Sequence, residues 1–129
     1  MRNRAKVVVA DDDDLLQTLL DHKLSSAGYR VETVGDGQAA LDRARLISPQ
    51  VIVLDAMMPI MDGFEALRRF KADPALASIP VIMLTAMRRD TDIVTALQLG
   101  AADYLSKPFN PDELIARMSR IAPPFRDAA

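Results

Sequence analysis

Three uninterrupted apolar runs, Val7-Val8-Val9-Ala10, Val51-Ile52-Val53-Leu54 and Val81-Ile82-Met83-Leu84, leave few architectures open to this chain. A strand with one wet face alternates apolar and polar residues. A run without that alternation fits a strand covered on both faces, the usual condition of a parallel sheet. Each run also stops on polar chemistry: Asp11-Asp12 after the first, Asp55 after the second, Thr85 after the third. A buried strand that ends on a charge needs a reason for the charge.

Helical patterns separate the runs. Leu16, Leu19, Leu20, Leu24 and Ala27 recur at helical spacing and stop at Gly28, a helix-ending residue. Residues 29–34 form a more polar strand. Asp36-Gly37 opens a second helix with Ala40, Leu41, Ala44 and Ile47 on one face before Pro49. Asp62-Gly63 opens a third, with Phe64, Leu67 and Phe70 inward, ending near Asp73-Pro74. A fourth spans 91–99 and stops at Gly100, and 103–105 is a short strand. Asn110-Pro111-Asp112-Glu113 is a helix start, with Asn as cap, Pro at the first position and acids in the first turn; Leu114, Met118 and Ile121 then face inward. Strand and helix alternate five times, which implies right-handed crossovers and helices on both faces of a mostly parallel sheet. The apolar strands take the centre and the two polar ones the edges, giving a flavodoxin-like α/β sandwich of order 2-1-3-4-5. The expected domain is 1–122, with 123–129 a frayed tail or the start of a linker.

In an open parallel sheet, sites form at the carboxyl ends of the strands. Read off the sequence, that rim gathers Asp11, Asp12, Asp55, Thr85 and, after the fifth strand, Ser106-Lys107-Pro108. Three carboxylates held together repel, and without a cation at least one must resist ionising. A hard divalent ion relieves this: Mg²⁺ takes oxygen ligands, one or two carboxylates among them, and keeps waters. Mn²⁺ is the alternative ion. Lys107 adds a second positive centre and Thr85 a neutral donor. These are the parts for phosphoryl transfer onto a carboxylate. Individually each residue has an ordinary explanation. Aspartates cap helices, and Asp13 or Asp14 is expected to do so here; strand ends carry threonine; loop lysines face water. Their coincidence at one rim is what carries the argument. His22 reads as a surface residue, the methionines at 57, 58 and 61 as loop and core packing, and Arg88-Arg89 as solvated.

Taken in order and at this spacing, Val-Val-Ala-Asp-Asp-Asp, Val-Leu-Asp-Ala-Met-Met-Pro-Ile-Met-Asp-Gly, Val-Ile-Met-Leu-Thr-Ala and Gly-Ala-Ala-Asp-Tyr-Leu-Ser-Lys-Pro-Phe make the chain resemble the receiver domain of two-component response regulators, the family of the bacterial chemotaxis regulator. The resemblance spans about residues 6–121. It implies that Asp55 accepts a phosphoryl group from a sensor histidine kinase or phosphotransfer domain. It implies Asp12 as direct Mg²⁺ ligand, Asp11 as its partner and the Met57 backbone carbonyl as a further ligand. Thr85 resembles the switch hydroxyl, Lys107 the lysine that pairs with the phosphoryl group, and Tyr104 the switch aromatic. The Lys107-Pro108 bond is expected cis. The face of the fourth helix, fifth strand and fifth helix is expected to dock an output domain or partner, or to form a homodimer. Met57 and Met87 flank the acceptor and offer no group to orient an attacking water, so the phosphoryl group is expected not to be unusually short-lived.

The remaining sequence evidence narrows the field. With 129 residues, half of them hydrophobic, the chain can bury one domain core; its net charge of −2 shows no basic excess for direct nucleic-acid binding, and it contains no cysteine. The basic start meets a short apolar run and then four aspartates, unlike a secretion signal. No stretch reaches membrane-spanning length. The expectation is a cytoplasmic, phosphorylatable switch rather than a substrate-turning enzyme. A dehalogenase-type phosphatase would need an acid where Met57 stands. An electron carrier of the flavodoxin kind would need a phosphate-binding loop where the four aspartates stand. A docking module with an inert site is the third alternative.

Overall fold

The computed structural model describes residues 2–86 and 90–127. Seven strands and five helices follow in the order β1 (Arg2–Arg4), β2 (Lys6–Ala10), α1 (Asp14–Ser26), β3 (Arg30–Val34), α2 (Gly37–Ile47), β4 (Val51–Asp55), α3 (Gly63–Ala72), β5 (Val81–Thr85), α4 (Asp90–Gln98), β6 (Asp103–Ser106), α5 (Pro111–Ile121) and β7 (Phe125–Asp127). Five of the strands form a parallel sheet in the order β3-β2-β4-β5-β6. Counted along the sheet-forming strands alone, this is 2-1-3-4-5. The apolar strands β2, β4 and β5 are buried along nearly their whole length, while β3 and β6 at the edges are mostly half-buried.

Strand pleating sends alternate residues to opposite faces, so one sheet supports two cores. Val8, Ile52, Leu54, Val81 and Met83 pack with α2, α3 and α4. Val7, Val9, Val51, Val53, Ile82, Leu84 and Leu105 pack with α1 and α5. Each aliphatic side chain removed from water this way contributes roughly 1.5–3 kcal/mol.

Helix ends follow local chemistry. Asp13 caps α1, its side chain accepting from the backbone N–H of Leu15 and Leu16; Asp36 caps α2, Asp62 caps α3 and Asn110 caps α5. At the end of α1, Gly28 takes φ +106°, a conformation side chains disfavour. Its N–H reaches Ser25 O at 3.0 Å and that of Tyr29 reaches Leu24 O at 3.1 Å, which satisfies the last carbonyls of the helix.

Leu19, which shares the apolar spacing of α1, is 43 % exposed and Leu15 is 83 % exposed; α1 buries only a narrow stripe centred on Leu20 and Leu24. One sequence expectation needs correction. Residues 123–129 were expected as a frayed tail or the start of a linker, yet Phe125–Asp127 pairs antiparallel with Arg2–Arg4 in a separate two-stranded ribbon. The ribbon is fastened from both sides. Ala5 N donates to Pro124 O at 2.7 Å, the Tyr29 hydroxyl donates to Ala122 O at 2.7 Å, and the Phe125 ring fills the space beside Gly28.

Candidate functional site

Parallel strands of matched register end together, and their carboxyl ends deliver the expected residues to one rim. Asp11 follows β2 and is fully buried; Asp55 closes β4 at 4 % exposure; Thr85 closes β5 and is fully buried; Asp12 is exposed beside them. Lys107 follows β6. Its Nζ donates to Asp11 Oδ2 at 2.8 Å and to Asp55 Oδ2 at 3.1 Å. Oxygens of Asp11, Asp12 and Asp55 all lie within 4.8 Å of one another. Such a set of hard oxygen donors suits Mg²⁺ or Mn²⁺.

Backbone geometry holds these groups in place. Lys107 N donates to Thr85 O at 2.7 Å, and the Lys107-Pro108 bond is cis. Asp55 Oδ1 accepts from Met57 N at 3.3 Å, and Ala56 N donates to Leu84 O at 2.8 Å. Asp11 Oδ1 accepts from Asp13 N at 2.9 Å. Gln17 of α1 donates through Nε2 to Asp11 O and, at 2.9 Å, to Val34 O. It ties α1 to the acidic turn and to β3. Nothing in the sequence marked Gln17, which reads as an ordinary helical position. Gly63 opens α3 so close to β4 that an added Cβ would stand 2.1 Å from Asp55 O; the Asp-Gly pair was legible as a helix start, this close approach was not.

Electrostatics follow from the burial. Desolvation, reinforced by the charge of Asp11, pushes the Asp55 carboxyl above its ordinary range despite the hydrogen bond from Lys107. Burial works against the Lys107 ammonium, but its bonds to Asp11 and Asp55 hold it above the usual lysine range. Tyr104 lies on β6 opposite Met83 of β5 and is hydrogen-bonded to the Thr85 side chain; burial and the charge of Asp92 raise its phenol. Met57, 61 % exposed, and Ile60, 85 % exposed, flank the acidic rim. Met58 and Met61 pack against the α2–α4 core. His22 is exposed. Met87, Arg88 and Arg89 lie outside the described residues.

Fold and site together define an open parallel α/β domain with a metal-competent acidic cluster and a lysine at the carboxyl edge of its sheet. A family model described as response regulator receiver domain matches residues 7–119, and the chain belongs to that family. Among curated relatives, the alkaline phosphatase synthesis transcriptional regulatory protein PhoP of Bacillus subtilis is 41 % identical over 116 residues, covering 90 % of this chain and 48 % of its own length. The DNA-binding response regulator MtrA of Mycolicibacterium smegmatis is 39 % identical over 115 residues, 89 % of this chain and 49 % of its own length. The chain thus spans about half the length of these relatives. Among solved structures, the Vibrio cholerae chemotaxis protein CheY4 superposes with a TM-score of 0.86 at 34 % identity, covering 92 % of this chain and 99 % of that one. The receiver domain of the Pseudomonas aeruginosa sensor histidine kinase PA1611, solved with a magnesium ion coordinated in its active site cleft, superposes at 0.84 with 34 % identity, covering 92 % and 98 %. Among the described residues no helix is long and apolar enough to cross a membrane.

Proposed function

We propose that Asp55 is the phosphoacceptor of this receiver domain and that its donor is the phosphohistidine of a sensor kinase or phosphotransfer domain. The observation that carries the reading is the convergence of Asp11, Asp12 and Asp55 on one point with Lys107 bridging two of them. A carboxylate oxygen of Asp55 attacks phosphorus, the P–N bond breaks, and its electron pair leaves with the imidazole. The group that must be stabilised is the negatively charged phosphoryl in transit, and preorganised positive charge does this with little reorganisation. Lys107 is positioned for that role. Asp12, Asp11, Asp55 and the Met57 carbonyl would hold Mg²⁺ (or Mn²⁺), which when bound offsets the clustered negative charge. The relative solved with magnesium in its cleft supports this assignment.

Once phosphorylated, Asp55 carries roughly −1.5 to −2 charge, by analogy with other phosphosites. Thr85 and Lys107 are drawn to it, Tyr104 loses its Thr85 partner, and the face of α4, β6 and α5 changes shape. That face signals to an output domain or partner, or to a second copy. The domain acts as a cytoplasmic switch; its catalysis is confined to its own phosphoryl transfer and loss, and it has no nucleic-acid contact of its own.

Incubation with acetyl phosphate and Mg²⁺, read by intact mass, tests this. The expected result is gain of one phosphoryl group, lost in Asp55→Asn and in excess EDTA. Unchanged mass under saturating conditions would overturn the assignment, and sustained phosphate release from assorted esters would favour a phosphatase.

A further inference from the structure

Asp92, the third residue of α4, has an unusual side chain. Its Oδ2 is sealed from solvent and, among the described residues, has no hydrogen-bond partner. Buried carboxylate oxygens are normally satisfied, and an orphan calls for an explanation. Ala96 and Leu99 follow at i+4 and i+7, so Asp92 shares their helix face. Both pack into the core that also holds Met83 and Tyr104. Asp92 therefore looks across α4 toward the switch pair, and its charge is felt at the Tyr104 phenol.

The Tyr104 hydroxyl is bonded to Thr85. When Thr85 turns to phosphorylated Asp55, that bond breaks and the hydroxyl is released to another acceptor. We propose that Asp92 Oδ2 becomes the acceptor of the Tyr104 hydroxyl in the switched state, so that Asp92 is a positioning residue that holds the aromatic inward. The inference rests on the phosphoacceptor reading of Asp55. It makes the orphan oxygen a feature of the resting state alone: one conformer leaves Oδ2 unpaired, the other pairs it, and the difference biases the equilibrium toward the phosphorylated form.

The test uses the full chain with fluorotyrosine at its two tyrosines, Tyr29 serving as internal reference for Tyr104, and a beryllofluoride titration in Mg²⁺ followed by fluorine NMR. Asp92→Leu removes the acceptor; Asp92→Asn keeps an amide oxygen that can still accept. Losing a hydrogen bond to a charged group should weaken beryllofluoride binding about tenfold in Asp92→Leu, with the Tyr104 signal held nearer its unliganded position. Asp92→Asn should restore most of both effects. In a Tyr104→Phe background, Asp92→Leu should add nothing, because the coupling runs through the hydroxyl. An equal penalty in that background, or an unaltered response in Asp92→Leu, overturns the inference. Should leucine unfold the chain, Asp92→Ala is read in the same way. Wild-type protein that fails to bind beryllofluoride overturns the phosphoacceptor reading itself, and this inference with it; normal wild-type binding with no Asp92 effect overturns this inference alone.

Discussion

Lys107 and Asp55, fifty-two positions apart in the chain, meet at 3.1 Å, Nζ to Oδ2. The same ammonium lies 2.8 Å from Asp11 Oδ2, so one cation separates two buried carboxylates that would otherwise repel. It offsets part of the site's negative charge and, on the reading proposed for Asp55, leaves a donor next to the oxygen that would take the phosphoryl group.

Replacing Lys107 by methionine keeps the aliphatic stem and deletes the charge. By analogy with the loss of one preorganised donor elsewhere, phosphorylation from acetyl phosphate should slow by on the order of a hundredfold. Mg²⁺ binding should persist, because the oxygen donors remain. Stopped-flow quench with mass detection gives the rate, and a metal titration gives the affinity. A rate near that of wild type would remove Lys107 from the chemistry.

The raised Asp55 carboxyl sets a pH dependence with a definite sign. Its folded value lies above the unfolded one, so across that window the native state binds more protons than the unfolded chain. Stability is then fully present below the ordinary carboxylate value, about 3.9, and is lost as pH rises through the folded value. In EDTA, wild type should therefore lose thermal stability relative to Asp55→Asn as pH rises from about 4 toward neutral. Lys107 behaves in the other range: raised in the fold, it stabilises below the ordinary lysine value and fails as pH climbs through its native one. Mg²⁺ at a hundred times its Kd should add about 2.7 kcal/mol to wild type and narrow the gap to the asparagine variant. Thermal scans with and without EDTA measure both.

Gly63 packs tightly against the backbone of Asp55. A Cβ there would lie 2.1 Å from Asp55 O and 2.8 Å from its carbonyl carbon, and backbone cannot swing away as a side chain can. Gly63→Ala should cost about 1–3 kcal/mol by urea titration and displace Asp55, slowing phosphorylation as well. Loss of stability with an unchanged phosphorylation rate would show that the acceptor strand absorbs the strain elsewhere.

Much of this site was legible before folding because it depends on local grammar. Apolar runs mark buried strands, and whatever ends them lands at a parallel sheet's carboxyl edge; Asp11, Asp55, Thr85 and Lys107 could all be placed that way. What escaped notice depends on distance in three dimensions. Leu19 fits the apolar spacing of α1, but how wide a stripe the sheet covers is not encoded in spacing. Asp92 in a first helical turn reads as a favourable charge near the helix dipole, and only its buried oxygen reveals otherwise. Phe125-Arg126-Asp127 has no periodicity, and its partner strand lies at the opposite end of the chain.

That ribbon gives the last expectation. Tyr29 is fully buried and its hydroxyl donates to Ala122 O at 2.7 Å; Phe125, 45 % exposed, covers Gly28 next to it. Tyr29→Phe deletes one buried hydrogen bond and leaves a carbonyl unsatisfied, which should cost about 1–3 kcal/mol of global stability. Phe125→Ala removes a half-exposed ring and should cost about 1 kcal/mol. Its main effect should instead be local: the Ala5 N–H, bonded to Pro124 O, should exchange with solvent faster while the amides of β4 and β5 keep their protection. Hydrogen exchange resolved by residue separates the two cases. If Ala5 keeps its protection in Phe125→Ala, the ribbon is held by backbone pairing alone and the ring contributes nothing to fastening it.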